Sequence, residues 1–161
     1  MKNSIAACLW FNGQAEEAAN FYTSVFKDAK ILSKSYYPKE GFEEHQHAEG
    51  TLLTVVFEIN GQQFTALNGG DNFKFTEAVS FQVFCENQEE IDYYWNKLTE
   101  GGSEGQCGWL KDKFGLSWQV VPSILAELVS NPSTVGKVIE AFIPMKKFDI
   151  QKIKEAASAG K

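Results

Sequence analysis

Residues 9–22, Leu-Trp-Phe-Asn-Gly-Gln-Ala-Glu-Glu-Ala-Ala-Asn-Phe-Tyr, decide the fold once they are set beside residues 82–95, Gln-Val-Phe-Cys-Glu-Asn-Gln-Glu-Glu-Ile-Asp-Tyr-Tyr-Trp. At an offset of 73, Phe11, Glu16, Glu17, Phe21, Tyr22 and Val25 meet Phe84, Glu89, Glu90, Tyr94, Trp95 and Leu98. Each copy reads as an apolar strand, a polar turn, a Glu-Glu pair and a helix with two adjacent aromatics. A repeat of about 70 residues is longer than a solenoid unit and points to two similar half-domains. The Glu pairs fit first helical turns, where negative charge meets the positive end of the helix dipole. Adjacent helical residues do not share a face, so neither pair reads as a glycosidase-type acid and nucleophile.

Working outward, residues 5–11 read as a buried strand, Asn12-Gly13 as a turn and residues 15–26 as a helix. Its face of Ala15, Ala18, Ala19, Tyr22 and Phe26 allows close approach to a sheet. Residues 30–37 read as a strand stopped by Pro38. Residues 38–50 read as a mobile polar loop. Two apolar runs, 51–59 and 62–68, flank Asn60-Gly61 and predict a hairpin. In the second half, residues 78–85 alternate as a strand, and Asn87 with Glu90 predicts a capping box for a helix to about Leu98. Strands are expected at 107–110 and 116–121. Pro122 and Asn131-Pro132 are each expected to start a helix. A last amphipathic helix follows Pro144, with residues 156–161 as a frayed tail. The fold class is therefore α+β: two tandem β-α-β-β-β modules, about 4–72 and 76–122, forming a cup-shaped mixed sheet, with a helical extension over about 122–161. All 161 residues are read as a single domain.

Composition narrows the function classes. Net charge is −6, all 15 basic residues are lysine and no lysine stripe appears, so nucleic acid is not an expected partner. Without arginine, a bidentate guanidinium clamp on a carboxylate or phosphate is ruled out. No apolar run is long enough to span a bilayer, and Met1-Lys2-Asn3 leads into a short strand rather than a secretory leader. With three widely spaced cysteines, Cys8, Cys85 and Cys107, the expectation is a cytoplasmic protein with buried thiols.

Residues 9–22, Phe-Thr-Ala-Leu-Asn-Gly-Gly (64–70) and Cys-Gly-Trp-Leu-Lys-Asp-Lys-Phe-Gly-Leu-Ser-Trp-Gln-Val-Val-Pro (107–122) resemble the PhnB-like group of the vicinal oxygen chelate superfamily. That superfamily includes glyoxalase I, bleomycin-resistance proteins and extradiol dioxygenases. The PhnB-like group often carries the label 3-demethylubiquinone-9 3-methyltransferase. The resemblance implies paired modules curving into a cup, closed by homodimerisation, and a fold that hosts many chemistries.

The resemblance also implies four metal-ligand positions. They fall at Ala7, at or beside Asn68, at Ala78 or Ser80, and at Gln119, which follows Asp112-Lys-Phe-Gly115 by four residues. None is an imidazole or carboxylate, so no metal and no other cofactor is expected. His45 and His47, the only histidines, sit near Glu43, Glu44 and Glu49. They offer an alternative metal set for an isomerase, lyase or dioxygenase, against the plainer reading of a solvated loop. Trp109 and Trp118 are expected between sheet and helices. Strand alternation then sends Ser117 and Gln119 to the other face, and puts Ser80 and Gln82 opposite Phe81 and Val83. Asn68, Ser80, Gln82, Ser117 and Gln119 are the expected ligand-binding residues, gripping a small molecule by amide and hydroxyl hydrogen bonds. Asn68-Gly69-Gly70-Asp71 lacks the G-x-G spacing and a following helix start, so the sequence does not support transfer from S-adenosylmethionine.

Overall fold

The computed structural model describes residues 5–159, which fall into two compact units divided between Lys74 and Phe75. The first unit runs β1 (Ala7–Phe11), α1 (Ala15–Val25), β2 (Ala29–Tyr36), α2 (Phe42–His45), β3 (Leu52–Ile59) and β4 (Gln62–Asn68). Its sheet has the order β1-β4-β3-β2, with β1 parallel to β4 and the other neighbours antiparallel. Asn60 and Gly61 both take positive φ, as a two-residue hairpin turn requires. Val55, Phe57 and Ile59 alternate with half-buried residues on β3, as do Phe64, Ala66 and Asn68 on β4. Their common face meets α1, whose Ala15, Ala18, Ala19, Tyr22 and Val25 are buried. Tyr22 stacks on Phe57 there at 5.9 Å. Leu9 and Phe11 share that face, because β1 pairs Leu9 with Ala66 and Phe11 with Asn68.

Within residues 38–50 the structure holds one helical turn, α2, rather than a featureless loop. Gly41 and Gln46, both with positive φ, reverse the chain at its ends. The His45 and His47 rings pack on Tyr37 at 4.6 and 4.2 Å, which ties the segment down.

The second unit runs β5 (Ser80–Cys85), α3 (Gln88–Thr99), β6 (Ser103–Glu104), β7 (Trp109–Lys111), β8 (Ser117–Pro122), α4 (Leu125–Ser130), α5 (Val135–Phe142) and α6 (Ile150–Ser158). Its sheet repeats the pattern as β5-β8-β7-β6, with β5 parallel to β8. Asn87 Oδ1 accepts from the Glu90 amide at 2.9 Å, as the capping box predicts. Glu90 reaches back one residue further than expected, to the amide of Glu86. Val83, Cys85, Leu110, Trp118 and Val120 are buried together with Ile91, Trp95 and Leu98 of α3.

Several expectations are corrected. Pro122 ends β8 instead of starting a helix: β7 pairs with β8 only over Ser117–Gln119, so the missing Pro122 N–H breaks no β7 ladder bond. Asn131-Pro132 forms a turn, with Asn131 Oδ1 accepting from the Ser133 amide and hydroxyl, and helix resumes only at Val135. The tail is helical through Ser158, with Ala157 buried; residues 160 and 161 lie outside the described residues. The sequence repeat also hides a phase shift. Three residues separate Phe11 from the start of α1, but two separate Cys85 from the start of α3. Aligning the helices therefore sets the strands one residue out of phase. Phe11 is buried beneath α1, whereas its counterpart Phe84 is 59% exposed.

Candidate functional site

The face of the second sheet turned away from α3 is built by register. Parallel pairing sets Ser80 beside Ser117 and Gln82 beside Gln119. Antiparallel pairing sets Trp109 beside Gln119, Lys111 beside Ser117 and Ser103 beside Lys111. Paired residues share a face, so four of the five expected site residues, Ser80, Gln82, Ser117 and Gln119, are brought together. Gln119 Nε2 donates to Ser80 Oγ at 2.8 Å, and Gln82 Nε2 lies 3.4 Å from Gln119 Oε1. This amide-hydroxyl chain offers donors and acceptors without a net charge.

Asn68 belongs to the first unit and points toward α1. Its Oδ1 accepts from the Ala15 amide at 2.9 Å, its Nδ2 donates to the Leu52 carbonyl at 3.1 Å, and its own carbonyl accepts from the Tyr37 hydroxyl at 2.7 Å. The cause lies at the helix start. Gln14 occupies the cap position of α1 without a side-chain bond, so Asn68 supplies an acceptor for one of the first free amides. The open face of the first sheet carries Trp10, Thr65 and Leu67 instead, by alternation against the buried residues. Trp10 Nε1 donates to the Gly70 carbonyl at 2.8 Å, and its ring meets Phe73 edge-on at 4.9 Å. A Cβ at Gly69 would lie 2.3 Å from that ring. Gly69 thus makes room for the Trp10 ring, while Gly70 supplies the carbonyl that holds its N–H.

Trp118 lies in the core as expected, its Nε1 donating to Asp112 Oδ2 at 2.8 Å. Trp109, expected there too, lies on the open face beside Gln119. Sequence reasoning also passed over Ser103, Lys111 and Glu77. A pocket of 230 Å³ lies among Glu77, Ser103, Trp109, Lys111 and Ser117. Lys111 Nζ pairs with Glu77 Oε1 at 2.5 Å, and the hydrogen bond from Lys111 holds the Glu77 carboxyl below the usual carboxylate range. The register of β7 against β8 was the missing signal, since the strands were expected but their pairing was not.

The metal-ligand positions implied by the resemblance hold side chains that are neutral, apolar or already engaged. Asn68 has both amide ends engaged, Gln119 is bonded to Ser80, and Ala7 and Ala78 carry no donor. Such a set does not fit a divalent metal. Among the described residues no three His, Cys, Asp or Glu side chains gather in a metal-holding group. His45 Nδ1 accepts from the His47 amide at 3.0 Å, and its Nε2 sits 3.3 Å from the Glu40 carbonyl.

The family model described as 3-demethylubiquinone-9 3-methyltransferase matches residues 3–121. The chain belongs to this PhnB-like family. The PhnB protein of Bacillus cereus is 39% identical, with 74% of this chain and 99% of that one covered at a TM-score of 0.65. The fosfomycin resistance protein FosX of Mesorhizobium loti is 12% identical, covering 81% and 99% at 0.55. A glyoxylase/bleomycin resistance protein/dioxygenase domain from Frankia is 13% identical, covering 76% and 92% at 0.50. The last two show the fold alone, that of the vicinal oxygen chelate superfamily. No curated protein matches the chain. The PhnB-like match stops at residue 121, just before α4, so α4, α5 and α6 extend this chain beyond its family's shared core.

Proposed function

We propose that the protein is a metal-independent, small-molecule-binding member of the glyoxalase/bleomycin-resistance type. Its ligand is held on the open face of the second sheet by Ser80, Gln82, Ser117 and Gln119. One observation carries this reading: four neutral hydrogen-bonding side chains lie side by side on a sheet face opposite the helix-covered core. Asn68 adds nothing to that grip, because its amide is spent inside the first unit. The family label adds no methyl transfer to this reading. The two mixed sheets are not the doubly wound parallel sheet such transfer normally uses, and Gly69-Gly70 serves Trp10. The reading includes a homodimer, supported by Val79 and Phe84, 65% and 59% exposed just before β5 and near its end. It places the protein in the cytoplasm, in keeping with three free thiols.

The test is a thermal-shift screen of small neutral and polar molecules, repeated with Gln119→Ala. A ligand that raises Tm in the wild type and binds the variant at least about tenfold more weakly, with folding stability held within about 1 kcal/mol, supports the reading. Equal binding by both proteins removes Gln119 from the site. Collapse of the fold would make its role structural.

A further inference from the structure

We propose that the pocket beside this face takes a small zwitterion, a molecule carrying an amino group and a carboxylate, through the Lys111-Glu77 pair and the Ser117 hydroxyl. The inference rests on the open face being the ligand site and names the class of ligand.

Three observations converge. Ser117 lines the pocket, yet it is 1% exposed and its Oγ has no hydrogen-bond partner. A buried hydroxyl without a partner destabilises the fold and is rare in native proteins. Here it borders a space of 230 Å³ from which a partner can come. Next to it, Lys111 lies opposite Ser117 in register and holds Glu77 at 2.5 Å. Those two side chains are 39% and 62% exposed, so the bond between them is a surface ion pair of small net worth that exchanges readily.

The pocket's second carboxylate, Glu104, is already engaged by Trp95 Nε1 and Lys146, so charge matching at Lys111 and Glu77 selects the ligand. A carboxylate alone would win Lys111 only by leaving Glu77 unpaired beside a second anion. An amine alone would strand Lys111 in the same way. A zwitterion gives its carboxylate to Lys111 and its ammonium to Glu77, so one ion pair becomes two and no charge is orphaned. Ser117 Oγ, both donor and acceptor, can meet either group. Trp109 provides a wall for an apolar side chain. The volume is below the roughly 300–1,000 Å³ that holds a drug-sized ligand, which limits the molecule to the size of a small amino acid.

The experiment titrates the full-length, isotope-labelled protein with L-alanine, L-serine and L-leucine, each beside its deaminated acid and its decarboxylated amine, following backbone amide signals. The expected result is saturable binding of a zwitterion that shifts Lys111 and Ser117. Both single-charge analogues should be weaker by about tenfold or more, as should the zwitterion with Lys111→Gln or Glu77→Gln. Ser117→Ala should keep or raise Tm while weakening the zwitterion several-fold. The proposal falls if the acid binds as tightly as its zwitterion, if Glu77→Gln leaves the preference for zwitterion over acid unchanged, or if Ser117→Ala leaves affinity unchanged. It also falls if no zwitterion binds. In that last case, a ligand from the neutral screen that shifts Ser80, Gln82 and Gln119 leaves the binding face standing. If neither set shifts any of these residues, both readings fail.

Discussion

Asp112 shows how much one buried side chain can organise. Its Oδ1 accepts from the amides of Phe114 and Leu116, and its Oδ2 accepts from Trp118 Nε1. The turn before β8 and the core tryptophan are thereby locked to one carboxylate, which sets the strand phase that sends Ser117 and Gln119 outward. Asp112→Ala leaves three donors without their acceptor and should cost about 2–4 kcal/mol in urea denaturation; a loss under about 1 kcal/mol would show that water replaces the carboxylate. Cys85 is the second residue of interest. Burial, with Glu90 and Glu86 adding to it, pushes its thiol from 9.0 up to about 12. Above pH 9 the unfolded chain releases this proton while the folded chain keeps it, so stability should fall as pH rises from about 9 toward 12. Cys85→Ala should show a shallower fall over pH 8–10.5, and a thiol reagent at pH 8 should label exposed Cys8 in the native state but not Cys85. Identical slopes in the two proteins would sink the claim.

At the scale of elements, Gln88 joins the helical extension to the second module. Its Nε2 donates to the Phe148 carbonyl at 3.0 Å and its Oε1 accepts from the Ile150 amide at 2.9 Å. Lys147 pairs with Asp92 of α3 at 2.6 Å, and the Phe148 ring fills the space that a side chain at Gly108 would need. Gln88→Ala should cost about 1–3 kcal/mol and speed amide hydrogen exchange in α6 before the rest of the unit. Uniform acceleration across the unit would mean that α6 has no separate opening. The helices α1 and α3 and the β3-β4 hairpin were legible in the sequence, because their signals are local: alanine spacing, an Asn cap, an Asn-Gly turn. The two-residue β6 was not placed at all, since Ser103–Glu104 carries no pattern and exists only through pairing with β7.

For the whole molecule, the predictions concern metal and assembly. Protein purified without added metal should carry far less than one equivalent of zinc, nickel, manganese or iron, and a chelator should leave Tm unchanged, because the ligand positions hold Ala, Asn, Ala or Ser, and Gln. Stoichiometric, chelator-resistant metal would send the search back to His45 and His47. Sedimentation velocity at micromolar concentration should show a dimer that Phe84→Glu shifts toward monomer. A wild-type monomer would remove the homodimer. Among the described residues no helix is long and apolar enough to cross a membrane.

The chain alone determined its class, its two-module order and the shared strand face of Ser80 with Gln82 and of Ser117 with Gln119, because apolar periodicity, turn chemistry and alternation within one strand are local properties. The fate of Asn68 was partly written there too: it shares the phase of Phe64 and Ala66, which face the core. Only the tertiary structure decided that α1 needs an acceptor from residue 68, that Trp109 turns outward, and that Glu77, Lys111 and Ser117 meet at one pocket. Those outcomes depend on strand register, and register is fixed by contacts between segments far apart in sequence.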